Sequence, residues 1–428
     1  MKPAIHIHPE TIVIDEQVTI KLTGFQPGAP VTIRATDSGM LGGELEATSY
    51  AVFVADRDGN IDPATQAPTE GTYSDPDPMG LFWSMKVSKL RFHLSNQLEQ
   101  VPCFPRSGAV TFTAEVAGEV VARAELTRFF LSPEVETRDI LENGIVGRFF
   151  ATPQSLSSDC PILITLSGSE GGLHTSSQFA ALYASHGYPA LALAYYNLEH
   201  LPQEIRNIPL EYAQKAMEWI KGQPFFRSRK IVVFGRSKGA ELALVLGATF
   251  PQIGGVIASS PTSTVCIGSS TAEHAPDVYC PQSSWSYQGK PLPFIPLTEE
   301  QCLEFQKNLK EGKRVDAIHG ACFSNQTMLE HASIPVEKIN GPLLLISSDD
   351  DHWWPASRHC KRMVQRLAEH DFPHSCLHLD YQDVGHGIRF PYVPTTNLRM
   401  NGGTAKNNAH AAKDSWHHIL AFLEKLKN

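Results

Sequence analysis

Ile231-Val-Val-Phe-Gly235-Arg236-Ser237-Lys238-Gly239 is an apolar β-run that stops in a Gly-x-Ser-x-Gly turn. The chain continues as Ala240-Glu-Leu-Ala-Leu-Val-Leu-Gly-Ala248, a helical composition. So sharp a passage from strand to helix forces the serine into a strained backbone conformation, which only small neighbours tolerate. Gly235 and Gly239 supply that room, so Ser237 is expected to stand exposed at the top of a sheet with its hydroxyl presented. A serine hydroxyl is a weak nucleophile at neutral pH. It needs a base to take its proton, and the base needs an acceptor to hold its tautomer.

Both partners have candidates downstream, each after a later strand. After Pro342-Leu-Leu-Leu-Ile346 comes Ser347-Ser-Asp349-Asp350-Asp351-His352-Trp353-Trp354-Pro355. Three adjacent carboxylates leave the acid open. Asp351 is preferred, because an acid followed by two residues, a bulky apolar residue and Pro is the usual turn into a helix; Asp350 is the second choice. Standing alone, the run reads as a solvated acidic turn. After Ser375-Cys-Leu-His-Leu379 comes Tyr381-Gln-Asp-Val-Gly385-His386-Gly387. Most of the 18 histidines are surface or core residues; His386 differs because a late strand precedes it and glycines flank it. Nucleophile, acid, histidine is the chain order of α/β-hydrolases. The tetrahedral intermediate of such chemistry needs two backbone N–H donors. One is expected from Lys238 and the other from Ser167-Gly-Ser-Glu-Gly-Gly172, with Ser169 the candidate and Glu170 its neighbour. That loop has no Gly-Lys-Ser/Thr ending, which argues against a phosphate cradle.

The segments around these motifs predict the fold class. Pro161–Leu166, Pro189–Tyr195, Gly255–Ala258 and Pro342–Ile346 are continuous apolar runs, as in strands covered on both faces. They alternate with helical patterns at Gln178–His186, Leu210–Lys221 and around Trp416, Ile419, Leu420 and Leu423. This predicts a mostly parallel sheet with helices on both faces over 133–428. Residues 1–132 read differently, as short β-rich segments (Val18–Leu22, Val31–Arg34, Thr48–Phe53, Val110–Val116, Val120–Leu126) with turn chemistry between. They predict an all-β, immunoglobulin-like sandwich. Between about 262 and 335 the periodicity breaks, apart from a polar helix near Thr298–Gly312, and so long an interruption suggests a lid.

The length of 428 residues suits two or three domains, and 42% apolar with 19% charged residues is ordinary for a globular chain. A net charge of −9 argues against broad binding to nucleic acid. No run approaches the roughly 18 apolar residues of a membrane span. The first residues lack a secretory or transit signal and the last are no peroxisomal or ER address, so the cytoplasm is the expectation. Eight cysteines are too sparse for a disulfide scaffold. Cys266, Cys280, Cys302 and Cys322 share one stretch that admits a local disulfide, with free thiols the plainer expectation. A monomer or homodimer is compatible with all of this.

Several stretches carry a resemblance: Ala192-Leu-Ala-Tyr-Tyr-Asn197, Leu201-Pro-Gln-Glu-Ile205, Leu210-Glu-Tyr212 and Gly235-Arg-Ser-Lys-Gly-Ala-Glu-Leu242. With Pro78-Met-Gly-Leu-Phe-Trp83, Ile334-Pro-Val-Glu-Lys338 and the Asp350–Trp354 turn, they resemble type I acyl-CoA thioesterases, a family that includes the bile acid-CoA:amino acid N-acyltransferases. The resemblance spans nearly the whole chain and implies a β-sandwich ahead of an α/β-hydrolase domain. It implies an acyl-CoA substrate, release of free fatty acid and CoA, and no cofactor, CoA being part of the substrate. It places the acid at the second of two adjacent aspartates, Asp351. Conjugating members of that family carry Cys at the nucleophile, so Ser237 tilts the expectation toward water as acceptor rather than glycine or taurine. Arg236 and Lys238 side chains are candidates for attracting CoA phosphates, against a plain reading as solvated neighbours of the turn. The rivals are an esterase or peptidase of the same fold and a non-catalytic binding protein.

Overall fold

Strand residues of the second half alternate strictly between two apolar clusters, and that alternation is what places helices on both faces of one sheet. Ile162, Ile164, Ile231, Val233, Leu343 and Leu345 join one cluster, and Leu163, Val232, Phe234, Leu344 and Ile346 join the other. The computed structural model describes residues 2–38, 46–89, 107–270, 281–396 and 401–427. Its central sheet has eight strands: β1 (Glu136–Glu142), β2 (Ile145–Ala151), β3 (Ile162–Leu166), β4 (Ala190–Ala194), β5 (Ile231–Arg236), β6 (Ile253–Ser259), β7 (Leu343–Ser348) and β8 (Cys376–Tyr381). Their spatial order is β1-β2-β4-β3-β5-β6-β7-β8. β4, β3, β5, β6, β7 and β8 pair in parallel, whereas β1–β2 and β2–β4 pair antiparallel. The sequence reading did not name β1 and β2. In β1 only Ile140 is buried, so the edge strand lacks the apolar run that marks the others.

Helices α1 (His174–Ser185) and α5 (Ala405–Glu424) cover one face, through Phe179, Leu182 and Tyr183 and through Trp416, Ile419 and Leu423. Helices α2 (Glu211–Gly222), α3 (Lys238–Thr249) and α4 (Ala356–Glu369) cover the other. The mostly parallel sheet with helices on both faces is as expected. Among the described residues no helix is long and apolar enough to cross a membrane. The Thr298–Gly312 expectation corresponds to a helix over Glu299–Glu311, capped by Thr298, whose side chain accepts from Gln301 N, and by left-handed Gly312.

The N-terminal part is mostly strands, as read from the sequence, but its two layers are unequal. Among the described residues, seven strands form one sheet, and Ala4–His8 and Thr19–Thr23 form the other. Ile20 and Leu22 from the small sheet pack with Ile33, Phe53 and Phe112, and a helical turn at Gly80–Trp83 fills the remaining space with Leu81, Phe82 and Trp83. Most of the motif Pro78–Trp83 is therefore core.

Polar bonds tie this part to the central sheet's coverings. Buried Arg128 donates to Ile14 O at 2.7 Å and to Tyr392 O at 2.8 Å. Asp15 Oδ2 takes His186 Nε2 at 2.5 Å and Trp416 Nε1 at 2.6 Å. Burial disfavours the charged imidazole of His186, but the hydrogen bond and charge of Asp15 outweigh it and hold its pKa above the ordinary value. A raised folded pKa means that the pair's stabilisation is fully present below about pH 6.5 and fades as the pH climbs through the raised value. Asp15→Asn should therefore flatten the loss of stability as the pH rises above the ordinary histidine value of about 6.5, read as urea midpoints.

Candidate active site

The turn between β5 and α3 is closed by contacts that leave no space for a methyl group. A Cβ on Gly235 would sit 2.0 Å from Gly239 O, and one on Gly239 would sit 2.3 Å from Ser167 O. Ser237 between them adopts φ 57° and ψ −124°, a conformation rarely held by a residue with a side chain. Its N–H donates to Ser259 O at 2.8 Å, which anchors the turn to β6. Ser237 lies at the C-terminal end of the sheet as expected, but it is only 5% exposed. The expectation of an open serine fails because loops from distant parts of the chain close over the turn.

His386 Nε2 lies 2.9 Å from Ser237 Oγ, and His386 Nδ1 lies 2.8 Å from Asp351 Oδ2. Asp351 and His386 are both buried. The backbone around His386 is fixed by its N–H to Asn401 O at 2.7 Å and by Ser260 Oγ donating to its carbonyl at 3.3 Å. Trp354 stands edge-on to the imidazole with ring centroids 5.0 Å apart. Asp351 Oδ1 accepts the N–H groups of Trp353 and Trp354 at 2.8 and 3.3 Å, so its other oxygen is aimed at the histidine.

The three aspartates of the turn do three different things. Asp349 Oδ1 accepts from Asp383 N at 2.8 Å. Asp350 accepts from Gly403 N and from Arg314 Nη1, both at 2.8 Å, and so holds the loop rather than the histidine. Asp351 alone of the three pairs with His386.

Lys238 opens α3, where the first N–H groups of a helix have no partner within it. Ser169 follows Gly168, which lies against the nucleophile: a Cβ on Gly168 would come 3.3 Å from Ser237 Cβ. Gly168 N donates to Glu170 Oε1 at 3.2 Å, and the Ser169 carbonyl accepts from Tyr196 OH.

The Lys238 side chain departs from its expected place at the mouth. It is buried, and its Nζ bonds Glu241 Oε2 at 2.8 Å. Glu241 Oε1 also accepts Trp285 Nε1 at 2.8 Å and Cys266 N at 3.1 Å. The pair thereby fastens the nucleophile helix to the irregular segment 262–335, a link that sequence reasoning missed. Lys238 and Glu241 stand at i and i+3, which was a visible signal; Trp285 gave none. Arg236 turns the other way, toward Glu170, with 3.9 Å between Nη2 and Oε1. The six cysteines among the described residues are free thiols, Cys266, Cys302 and Cys322 among them; Cys280 lies outside the described residues. Among the described residues no group of three or more His, Cys, Asp or Glu is placed to hold a metal ion.

Comparison with known proteins bears on this geometry. The sequence profile of the family described as "BAAT / Acyl-CoA thioester hydrolase C terminal" matches residues 208–428. That described as "Acyl-CoA thioester hydrolase/BAAT N-terminal region" matches residues 15–142. The chain is 27% identical over 420 residues to acyl-coenzyme A thioesterase 1 of Rattus norvegicus, covering 96% of this chain and 93% of the relative. It is 28% identical to acyl-coenzyme A thioesterase 6 of Mus musculus, over 97% of this chain and 94% of that one. It is 29% identical to acyl-coenzyme A amino acid N-acyltransferase 1 of Mus musculus, over 97% and 96% respectively.

The buried Lys238–Glu241 pair yields a stability test. Removing one partner of such a pair strands a buried charge and costs about 3–5 kcal/mol, whereas replacing both with apolar residues costs much less. Urea denaturation of Glu241→Ala should show the large loss, and Lys238→Met combined with Glu241→Leu should show a smaller one than Glu241→Ala alone.

Proposed function

The chain belongs to the BAAT/acyl-CoA thioester hydrolase family, and on that premise we propose that it hydrolyses an acyl-CoA thioester to the free acid and CoA through Ser237. The observation that carries this reading is the 2.9 Å hydrogen bond from Ser237 Oγ to an imidazole whose far nitrogen meets a buried carboxylate. Ser237 Oγ attacks the thioester carbonyl while His386 Nε2 takes its proton, and Asp351 stabilises the imidazolium that forms. The negative charge on the carbonyl oxygen falls to the N–H groups of Lys238 and Ser169, worth about 3 kcal/mol for each donor. The C–S bond then breaks and CoA departs as a thiolate, a fair leaving group because thiols are fairly acidic, and the proton on His386 Nε2 passes to that sulfur or to solvent, which restores the neutral imidazole. A water enters, His386 takes one of its protons, and the hydroxide attacks the acyl-serine. Collapse of that second intermediate returns the proton to Ser237 Oγ and releases the acid. These steps use only the chain's own residues, and CoA enters as part of the substrate. Segment 262–335, bonded to Glu241 beside the nucleophile, serves in this reading as the cover over the site.

Transfer of the acyl group to an amine is the second reading. It is favoured by the N-acyltransferase among the relatives, which matches over the same length as the thioesterases do. The two readings share every step up to the acyl-serine. Free acid as the sole product in the presence of glycine or taurine supports hydrolysis, and an amide product supports transfer.

Three variants test the assignments. Across a panel of acyl-CoAs from acetyl to palmitoyl, Ser237→Ala should lower kcat by about a thousandfold or more, as removal of the nucleophile does in such sites; equal rates would contradict the assignment. Asp351→Asn should cost about ten-thousandfold by leaving the wrong imidazole tautomer, whereas Asp350→Asn should cost less than about tenfold, since Asp350 faces Arg314, a loop amide and, at 3.4 Å, His352 rather than His386.

A further inference from the structure

Four buried residues from the loops after β6, β7 and β8 close a circuit around the base. Asp351 Oδ2 meets His386 Nδ1 at 2.8 Å. The His386 carbonyl accepts from Ser260 Oγ at 3.3 Å, and the Ser260 carbonyl accepts from the indole Nε1 of Trp354 at 3.0 Å. The main-chain N–H of the same Trp354 donates to Asp351 Oδ1 at 3.3 Å, which brings the circuit back to its start.

Ser260 fastens this circuit to the sheet. Its N–H donates to Ile346 O in β7 at 2.7 Å, and the carbonyl of its neighbour Ser259 takes the N–H of Ser237 at 2.8 Å. It holds φ 50°, in the left-handed region that a residue with a side chain rarely enters. Its N–H, carbonyl and hydroxyl are all committed in that conformation, and a return to ordinary backbone would redirect the last two away from Trp354 and His386. Strain of this kind persists where the surroundings over-determine it, and it gathers at reactive sites.

Trp354 adds a wall to the circuit. Its indole stands between two imidazoles, with ring centroids 5.0 Å from His386 at an interplanar angle of 88° and 5.7 Å from His319 at 84°. A single hydrogen bond at Nδ1 leaves an imidazole free to pivot about that contact. An indole packed against the ring, and itself pinned at Nε1, removes the pivot. A buried indole N–H needs an acceptor, and here the acceptor belongs to the residue that also holds the histidine main chain.

We propose that Trp354 is a positioning residue for the base, acting through Ser260 and His386 to keep Nε2 aimed at Ser237 Oγ while the proton crosses, a role that rests on the reading of Ser237 as the nucleophile. Displacement of a reacting group by about 1 Å costs about a hundredfold in rate, so a ring free to tilt is a poor base even with its carboxylate in place.

The rate at which a fluorophosphonate labels Ser237, counted per chain that is labelled at completion, reads this role without a substrate. It should fall about tenfold in Trp354→Phe, which keeps a ring but lacks the donor, and about a hundredfold in Trp354→Leu. Ser260→Ala should also lower it, and Trp354→Phe combined with Ser260→Ala should lose less than the product of the two, because both cut one circuit. On acyl-CoA, kcat should follow the labelling rates while KM stays within about twofold of the wild type. A wild-type rate per labelled chain in the Trp354 variants, with only the melting temperature or the labelled fraction lowered, means that the indole merely fills space and overturns the proposal. So does a raised KM at unchanged kcat, or losses that simply multiply. If the Trp354 variants fail to fold, Ser260→Gly decides, since glycine takes φ 50° freely and lacks the hydroxyl; a lowered rate supports the role and a wild-type rate overturns it. If the wild type takes the label but turns over no acyl-CoA, the proposed function fails and the labelling rates alone decide the positioning role.

Discussion

The close approach of backbones at the turn after β5 governs the rest of the structure. Gly235 and Gly239 nearly touch each other and the end of β3, and Ser237 between them sits in a conformation that costs of order 1–3 kcal/mol. That cost is sustained because strands buried on both faces meet the helix start in one place only. The result is that the position of Oγ is set by the backbone. His386 is set in the same way, by main-chain bonds to Asn401 and Ser260, and Asp351 by the amides of Trp353 and Trp354. The three side chains meet because three loops at the C-terminal edge of one parallel sheet are each rigid.

Two charged clusters adjoin the turn at Ser237, and they differ in how fully their polar atoms are paired. Lys238 and Glu241 are buried and matched, and Trp285 and Cys266 take the remaining lone pairs of the carboxylate. Such a network holds the start of α3 against Cys266 and Trp285. Arg236 and Arg389 each keep a buried Nε without a hydrogen-bond partner among the described residues, and Arg236 Nη2 stands 3.9 Å from Glu170 Oε1.

The parts legible in the sequence were those decided by neighbours in the chain. The turn at Ser237 announces itself through two glycines and flanking strand and helix compositions, and His386 through its own flanking glycines after a strand. The parts that were not legible depend on distant partners. The turn that follows favoured Asp351 among three adjacent aspartates, but the tasks of Asp349 and Asp350 were hidden, because Arg314, Gly403 and Asp383, all remote along the chain, make them loop anchors. Lys238 looks like a surface residue until Trp285 and Glu241 bury it. The polar edge strand Glu136–Glu142 has one buried residue and so no pattern to read.

The central claim is that the Ser237 hydroxyl is made nucleophilic by the imidazole of His386. Covalent labelling with a fluorophosphonate probe, mapped by mass spectrometry, tests it without assuming any substrate. The account predicts one adduct per chain, on Ser237, and its loss in His386→Ala. An unlabelled wild type, or a Ser237 adduct formed equally fast in His386→Ala, would contradict it.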